Sequence, residues 1–340
     1  MMKKSFVVTL ACLMSLLIVG CGGGAKKTDT KAGDKDGKAV TIKVGHALSD
    51  SSAFQKALVK FKKDVESKTN GRIKIEVFAN GALGSEGEMA EGLSMGTIDA
   101  ALIGPSSVAK LYSNFEVFNL PYLFQSIEHA DKVLLGDVGK KFASEIKNKS
   151  GVQVLSFWES GFRYYTNNKR QVVQPNDMQG LLIRIPNSKV QAATLKALGA
   201  SATNLPIGEV YMACSNGTID GEESPIDTIV TSNFNEVQKY MVMDGHVYAA
   251  MGFLMKGKLF DSLSKEDQKI IMECAHDAGI EERKIRRDLE STQVKNLKEK
   301  GMKISENVDK KEWRKAVQPV YDQFQKDFGK DLINSIEQAK

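Results

Sequence analysis

The chain has 340 residues, enough for two lobes of ordinary domain size. Hydrophobic residues make up 42% and charged residues 26%, a globular balance that excludes wholesale disorder, and 7 prolines are too few for a collagenous or Pro-rich linker protein. The 47 basic and 42 acidic residues leave a formal net charge of only +5, which excludes an electrostatic case for nucleic-acid binding.

Met1-Met2-Lys3-Lys4 precedes an apolar run over 6–20. That run falls short of the ~20 residues a spanning helix needs, so a basic start with a short apolar core predicts a secretory signal. It closes on Ile18-Val19-Gly20-Cys21, a small residue before a thiol, with glycines next. This predicts a lipoprotein signal over 1–21 with the lipid on Cys21. Residues 22–39 are mostly Lys, Asp, Gly and Thr and predict a flexible tether. The folded body is thus expected outside the cytoplasm, held to a membrane by its lipidated end.

Thr41-Ile42-Lys43-Val44-Gly45 alternates as a strand does. Asp50-Ser51-Ser52 can cap a helix whose apolar stripe is Phe54, Leu58, Phe61 and Val65, stopping at Asn70-Gly71. Ile73, Ile75 and Val77 alternate again. Strand, helix and strand with short connections form a βαβ unit and imply a parallel sheet. A helix over Glu86 to Met95 and a strand over Ile98 to Ile103 follow. Further strands are expected at Val152 to Phe157 and Leu181 to Ile185, with helices near Glu128 to Lys147 and Ser188 to Leu198. The chain therefore reads as α/β. Ser264 can cap a long helix within Leu263 to Met302, a segment without Pro, with Ile270, Ile271, Cys274, Ala278 and Ile280 on its apolar face. Its charged second half suits a helix bridging two bodies. A final helix is expected around Trp313 to Phe328. Cys214 and Cys274 lie in apolar helical stretches and are expected to be buried free thiols.

Chemistry-bearing motifs are scarce. His46, His129, His246 and His276 lack metal-ligand spacing, and the chain has no Cys-x-x-Cys, no Gly-x-Ser-x-Gly elbow and no phosphate-binding loop. Gly81, Gly84 and Gly87 read as a turn before a helix. No metal, no cofactor and no catalysis are expected; binding is. Arg184, inside Leu181-Leu182-Ile183-Arg184-Ile185-Pro186, is a charge in a strand suited to burial and needs an anionic partner. Its planar fork suits two-point contact with a carboxylate. The residues alone leave a ligand, a protein carboxylate or a snorkelling side chain all open. Arg163, in Trp158-Glu159-Ser160-Gly161-Phe162-Arg163, is a second candidate with the same alternatives.

Several segments together carry a resemblance. They include Asn70-Gly71-Arg72-Ile73, Gly81-Ala82-Leu83-Gly84-Ser85-Glu86, Gly96-Thr97-Ile98-Asp99 and Phe118-Asn119-Leu120-Pro121-Tyr122. Gly161-Phe162-Arg163, Met178-Gln179-Gly180-Leu181, Arg184-Ile185-Pro186-Asn187 and Glu209-Val210-Tyr211 follow, and Gly217-Thr218-Ile219-Asp220-Gly221-Glu222-Glu223-Ser224-Pro225 is the most telling. From about Thr41 to the last helix the chain resembles the extracytoplasmic solute-binding proteins of TRAP transporters.

The resemblance implies a two-lobe periplasmic-binding-protein fold with crossing hinge strands and a long helix over both lobes. Lobe I is expected to comprise 40–160 with 250–290, and lobe II 161–249 with 291–340. A small carboxylate captured in the cleft would be delivered to small and large membrane subunits driven by an ion gradient. The family's carboxylate-binding arginine falls on Arg184, its second arginine on Arg163, a polar contact on Asn187 and its loop carboxylate on Glu86. Ser224 stands where an Asn usually touches ligand, and Ile207-Gly208 replaces a Phe that often lines the cleft. An acidic residue that marks sialic-acid binders is missing near Pro105. Trp158, with Phe162 and Tyr164, is a candidate wall or lobe filler, and His46 completes the candidate set.

The expected ligand is a C4-dicarboxylate or related organic acid; a uronate or sugar acid and a keto or aromatic acid are the alternatives. An ABC-type amino-acid-binding lipoprotein would lack the Arg-Ile-Pro-Asn and Asp-Gly-Glu-Glu patterns together. A secreted enzyme would use Glu86, Glu159 or Glu222, carboxylates more often solvated or paired.

Overall fold

The computed structural model describes residues 39–339. The signal, Cys21 and all of the tether but Ala39 lie outside the described residues.

The alternating segments become β1 (Val40–His46) and β2 (Ile73–Phe78), and Ala100–Ile103 becomes β3, shorter than expected by two residues. Between β1 and β2 the helix Ala53–Lys68 is capped by Ser52, whose Oγ accepts the Gln55 N–H. It buries Phe54, Ala57, Leu58, Phe61 and Val65 on one face. Asn70 and Gly71 then turn the chain through positive φ. Both pairings of β1, with β2 and with β3, are parallel. Farther on, β5 (Leu182–Ile185) pairs in parallel with β6 (Ser201–Asn204) and β7 (Gly221–Pro225).

Two long antiparallel strands join these parallel groups, β4 (Val152–Asn167) and β8 (Tyr240–Lys256). The sheet order is β2-β1-β3-β8-β4-β7-β5-β6, and β9 (Lys303–Ser305) lies beside the start of β8. Register breaks at Val154/Ser156, Glu159/Gly161 and Arg163/Tyr165 bend the β4–β8 ribbon. The sequence placed only the first third of β4 and neither β7 nor β8. Every residue of β8 from Asp244 to Met255 is buried, so it lacks the alternation that marks a half-exposed strand.

The helix expected over Glu128 to Lys147 is two helices, Ile127–Leu135 and Asp137–Ser150, broken at Gly136. A Cβ at Gly136 would lie 2.2 Å from the Lys132 carbonyl oxygen. The expected last helix likewise divides into Lys310–Ala316 and Gln318–Phe328, and Lys330–Glu337 follows. Pro319, at the start of the second of these, has no N–H to continue the first. Cys214 and Cys274 are buried thiols, unpaired among the described residues.

The long helix runs from Lys265 to Glu299, about 52 Å at 1.5 Å per residue. Its first half packs Ile271, Cys274, Ala275 and Ala278 against the apolar cluster that holds Ile42, Val44, Leu58 and Phe61. Over the bend in β4 its contacts become ionic. Arg283 and Arg287 reach Asp131 and Glu159, and Arg286 pairs with Glu282. Arg286 also lies 4.9 Å over the Phe54 ring and 3.3 Å from Asp227 Oδ2. Farther along, Val294 and Leu297 pack with Val210, Ile226 and Phe234. One helix therefore contacts apolar material on both sides of the bend.

Trp158 fixes the first of these contacts. Its indole is fully buried, donates to the Ala275 carbonyl at 3.0 Å and meets Phe253 edge-on. A Cβ on Gly279 would lie 2.7 Å from that indole. Gly279→Ala gains up to ~1 kcal/mol of helix propensity. It incurs about 1–3 kcal/mol of overpacking and threatens an indole hydrogen bond contributing ~1 kcal/mol. The packing terms win, so thermal denaturation should show a melting temperature lowered by several degrees; an unchanged or raised value would contradict this packing.

Candidate functional site

In sheets with parallel strands, ligands bind beyond the carboxyl ends of the strands. Here those ends converge. Residues just after β1 (Ala47, Leu48), after β3 (Gly104, Pro105), after β5 (Pro186, Asn187) and after β6 (Leu205, Pro206) all line one cavity of about 780 Å³. That size lies within the ~300–1,000 Å³ typical of small-molecule sites.

Arg184 sits in β5, opposite Glu222 of β7 in the strand register, and is 4% exposed. Its Nε donates to the Leu205 carbonyl at 2.8 Å, the only hydrogen bond its side chain makes among the described residues. No described carboxylate is ion-paired with it, and its side chain lines the cavity. Burial lowers its pKa to about 10, against the favourable fields of Glu223, Glu222 and Glu86. The protein-partner and snorkelling alternatives left by the sequence do not describe this geometry.

Arg163 is also at the cavity but is committed. Its Nε and Nη2 both bind the Glu223 carboxylate, and Nη2 also donates to the Glu223 carbonyl at 2.6 Å. Burial opposes the charge of Glu223, but Arg163 and His246 hold its pKa down at about 2. Behind it, His246 Nε2 lies 3.4 Å from Glu223 and Nδ1 3.0 Å from Asp244, which also accepts from the Tyr122 hydroxyl at 3.1 Å. The imidazole stacks on Tyr165 with ring centroids 3.9 Å apart. Its burial disfavours the proton, yet the two carboxylates outweigh that and raise its pKa to about 9.

Glu86 stands in the first turn of the helix Glu86–Met95, positioned by the Ser85–Glu88 capping box. Its Oε2 accepts the Gly104 N–H at 2.9 Å, and loss of solvent raises its pKa despite that bond and the nearby arginines. Asn187 is exposed at the rim, its Oδ1 accepting from Asn204 Nδ2 at 3.3 Å. Ser224 is buried in β7 and lines the cavity, with its hydroxyl beside the Glu222 carboxylate.

Five sequence candidates, Arg184, Arg163, Asn187, Glu86 and Ser224, are thus brought together. Two are not. His46 is fully buried behind the wall and hydrogen-bonds Gln55 Oε1 at 2.9 Å; its neighbours Ala47 and Leu48 reach the cavity instead. Trp158 lies under the long helix because its indole fills the gap that Gly279 leaves. Phe162 and Tyr164 do not line the cavity either, and among the described residues its one aromatic lining residue is Phe54. Sequence reasoning missed Gln191, Ser106 and Asn119. Gln191 is 3% exposed with an unpartnered Oε1, and only its place one turn after Arg184-Ile185-Pro186-Asn187 hints at a role.

The family of bacterial extracellular solute-binding proteins, family 7 (DctP), matches residues 44–327, and the chain belongs to it. The 2,3-diketo-L-gulonate-binding periplasmic protein YiaO of Escherichia coli is 32% identical over 305 residues, 89% of this chain and 93% of that protein. A TRAP periplasmic solute-binding protein from Polaromonas sp. JS666, bound to D-erythronate, superposes with a TM-score of 0.86 at 34% identity, covering 88% of this chain and 99% of that one. Another from Sulfurospirillum deleyianum, with bound succinate, gives 0.84 at 31%, covering 89% and 100%. The chain is therefore a TRAP-type solute-binding protein for organic acids, with the two-lobe fold of that family, whose members work outside the cytoplasm.

The buried groups set a pH dependence. The folded pKa of His246, about 9, exceeds its ordinary 6.5, so its contribution is full below pH 6.5 and lost as pH rises through 9. Glu222, raised to about 7 chiefly by burial, adds a cost that grows as pH rises from about 4.5 to 7. Both signs agree: the melting temperature should fall between pH 5 and 9. His246→Asn should flatten the part above pH 6.5. A wild-type melting temperature that rises across that upper range would contradict this account.

Proposed function

We propose that the cleft captures one small organic acid by docking a carboxylate on the Arg184 fork. The supporting observation is the buried guanidinium, which among the described residues has one protein hydrogen bond and no carboxylate of its own. Arg163 contributes a hydrogen bond beside it rather than a second charge, and Asn187, Glu86 and Ser224 complete the ring of contacts. The binding role is not catalytic. A neutral analogue would leave Arg184 unpaired after closure, which is how the site selects.

Closure in this reading is a movement of lobe I (40–160 with 250–290) against lobe II (161–249 with 291–340) about β4 and β8. The register break at Glu159/Gly161, beside that boundary, supports it. The closed protein hands the acid to the small and large TRAP membrane subunits, which draw on an ion gradient. The chain is held at the membrane through a lipid on Cys21. Cys21→Ala should move it from the detergent phase to the aqueous phase on phase partition; an unchanged distribution would count against the anchor.

Removing the guanidinium forfeits two charge-assisted hydrogen bonds of about 1.5–3 kcal/mol each. Arg184→Ala should therefore fold but bind the preferred acid roughly 100- to 10,000-fold more weakly by calorimetry, with Arg184→Lys in between because it keeps charge without the fork. Wild-type affinity in Arg184→Ala would overturn the assignment.

A further inference from the structure

Two buried carboxylates that do not line the cavity are seated on helix starts of the opposite lobe, with the lobes divided as proposed above. Glu116 lies in the helical turn Ser113–Asn119 of lobe I and meets the start of the helix Lys189–Ala197 in lobe II. Its Oε1 accepts the Ser188 hydroxyl and, at 3.4 Å, the Val190 N–H; its Oε2 accepts from Asn119 Nδ2 at 3.1 Å. Asp227, in the helix Ile226–Thr231 of lobe II, makes the reciprocal contact. Its Oδ2 accepts at 3.3 Å the N–H of Ala53, the first residue of the helix Ala53–Lys68 in lobe I, and lies 3.3 Å from Arg286 Nη1.

Each helix already has a cap of its own. Ser188 Oγ accepts the Gln191 N–H at 3.1 Å, and Ser52 Oγ accepts the Gln55 N–H at 3.4 Å. The foreign carboxylate takes a further N–H of the first turn, where free donors and the positive end of the helix dipole favour a negative charge. The two partners of each bond belong to different lobes. A movement about β4 and β8 that draws the lobes apart therefore breaks both contacts and returns the groups to water.

What these contacts hold is the cavity wall. Ser188 follows Asn187 and is bonded to the backbone of Gln191, while Asn119 also donates to Ser106 Oγ at 3.2 Å; Asn187, Gln191, Asn119 and Ser106 all line the cavity. On the other contact, Phe54 follows Ala53 and Thr228 follows Asp227, and both line the cavity too. Resting on the organic-acid reading and its lobe closure, we propose that Glu116 and Asp227 are positioning residues, a crossed pair of clasps that hold the cleft shut from behind its lining. They set how long a ligand stays without touching it. Because they favour the closed form itself, they strengthen binding of every acid by the same factor, while Arg184 and the lining choose among acids.

Calorimetry and stopped-flow binding of the full chain with succinate, D-erythronate, D-glucuronate and pyruvate test this. Glu116→Gln and Asp227→Asn should each weaken every acid that the wild type binds by one common factor, about tenfold, through faster dissociation and at unchanged stoichiometry. The double variant should show the product of the two factors. Ser188→Ala, which removes the hydroxyl partner of Glu116 from the other lobe, should weaken binding in the same uniform way and add little to Glu116→Gln. Should an acidic variant fail to fold, Ser188→Ala carries the test. Wild-type affinity in Glu116→Gln and Ser188→Ala overturns the clasp. A loss that differs among the acids makes Glu116 a ligand contact and overturns it as well. Reduced stoichiometry at unchanged affinity reports damage to the fold and does the same. In each of these cases binding by the wild type leaves the organic-acid reading standing, whereas a wild type that binds none of the four acids takes both readings down.

Discussion

One charge governs this molecule. The Arg184 guanidinium is removed from water and given a single carbonyl, so a strong, planar set of donors faces an enclosed space. A buried charge without a partner is costly, and a protein carries that cost where a ligand relieves it. The carboxylates of Glu222 and Glu223 sit near enough to keep the arginine ionised but are otherwise engaged, Glu222 by the Thr166 hydroxyl and Glu223 by Arg163. The field is supplied from behind while the hydrogen-bonding face stays open. Arg184 is thereby stabilised as a cation without being satisfied.

The scaffold follows from that requirement. Short parallel strands bring their carboxyl ends, with loops and helix starts, to one place, and the β4–β8 ribbon carries both groups of strands. The Arg163–Glu223–His246–Asp244 chain fixes where Arg163 points; its charges alternate, and Glu223, His246 and Asp244 are buried while Arg163 is partly so. The long helix repeats the device over the bend in β4 with Glu159, Glu282, Arg283 and Arg286. Ion pairs of this kind add little net stability but penalise every misplaced partner strongly. The result is a hinge and a binding floor with defined geometry.

Much of this was legible in the residues. The first βαβ unit could be read from period alone, since β1, the helix after it and β2 are each exposed on one face. Arg184 stood out because a charge interrupts an apolar strand, and Arg163 and Glu86 followed from the family pattern. What stayed hidden had physical reasons. β8 is buried along most of its length and shows no alternation. Trp158 looked like a wall residue because aromatics line many clefts, but the missing side chain at Gly279, over a hundred residues away, decides where it packs. His46 sits at the end of β1, and one further step along the chain separates the buried face from the cavity. Gln191 gave only a positional hint, one turn after Arg184-Ile185-Pro186-Asn187, because a polar residue on a short helix is ordinary until the fold buries it. The commitment of Arg163 to Glu223 was equally invisible, since it depends on the register of β4 against β7.

The most direct test of the central claim is a crystal structure of the protein with a bound organic acid. The account predicts a ligand carboxylate within hydrogen-bond distance of both terminal nitrogens of Arg184, with Arg163 still paired to Glu223. A carboxylate bound elsewhere in the cleft, or an Arg184 turned onto Glu222 with the ligand present, would contradict it.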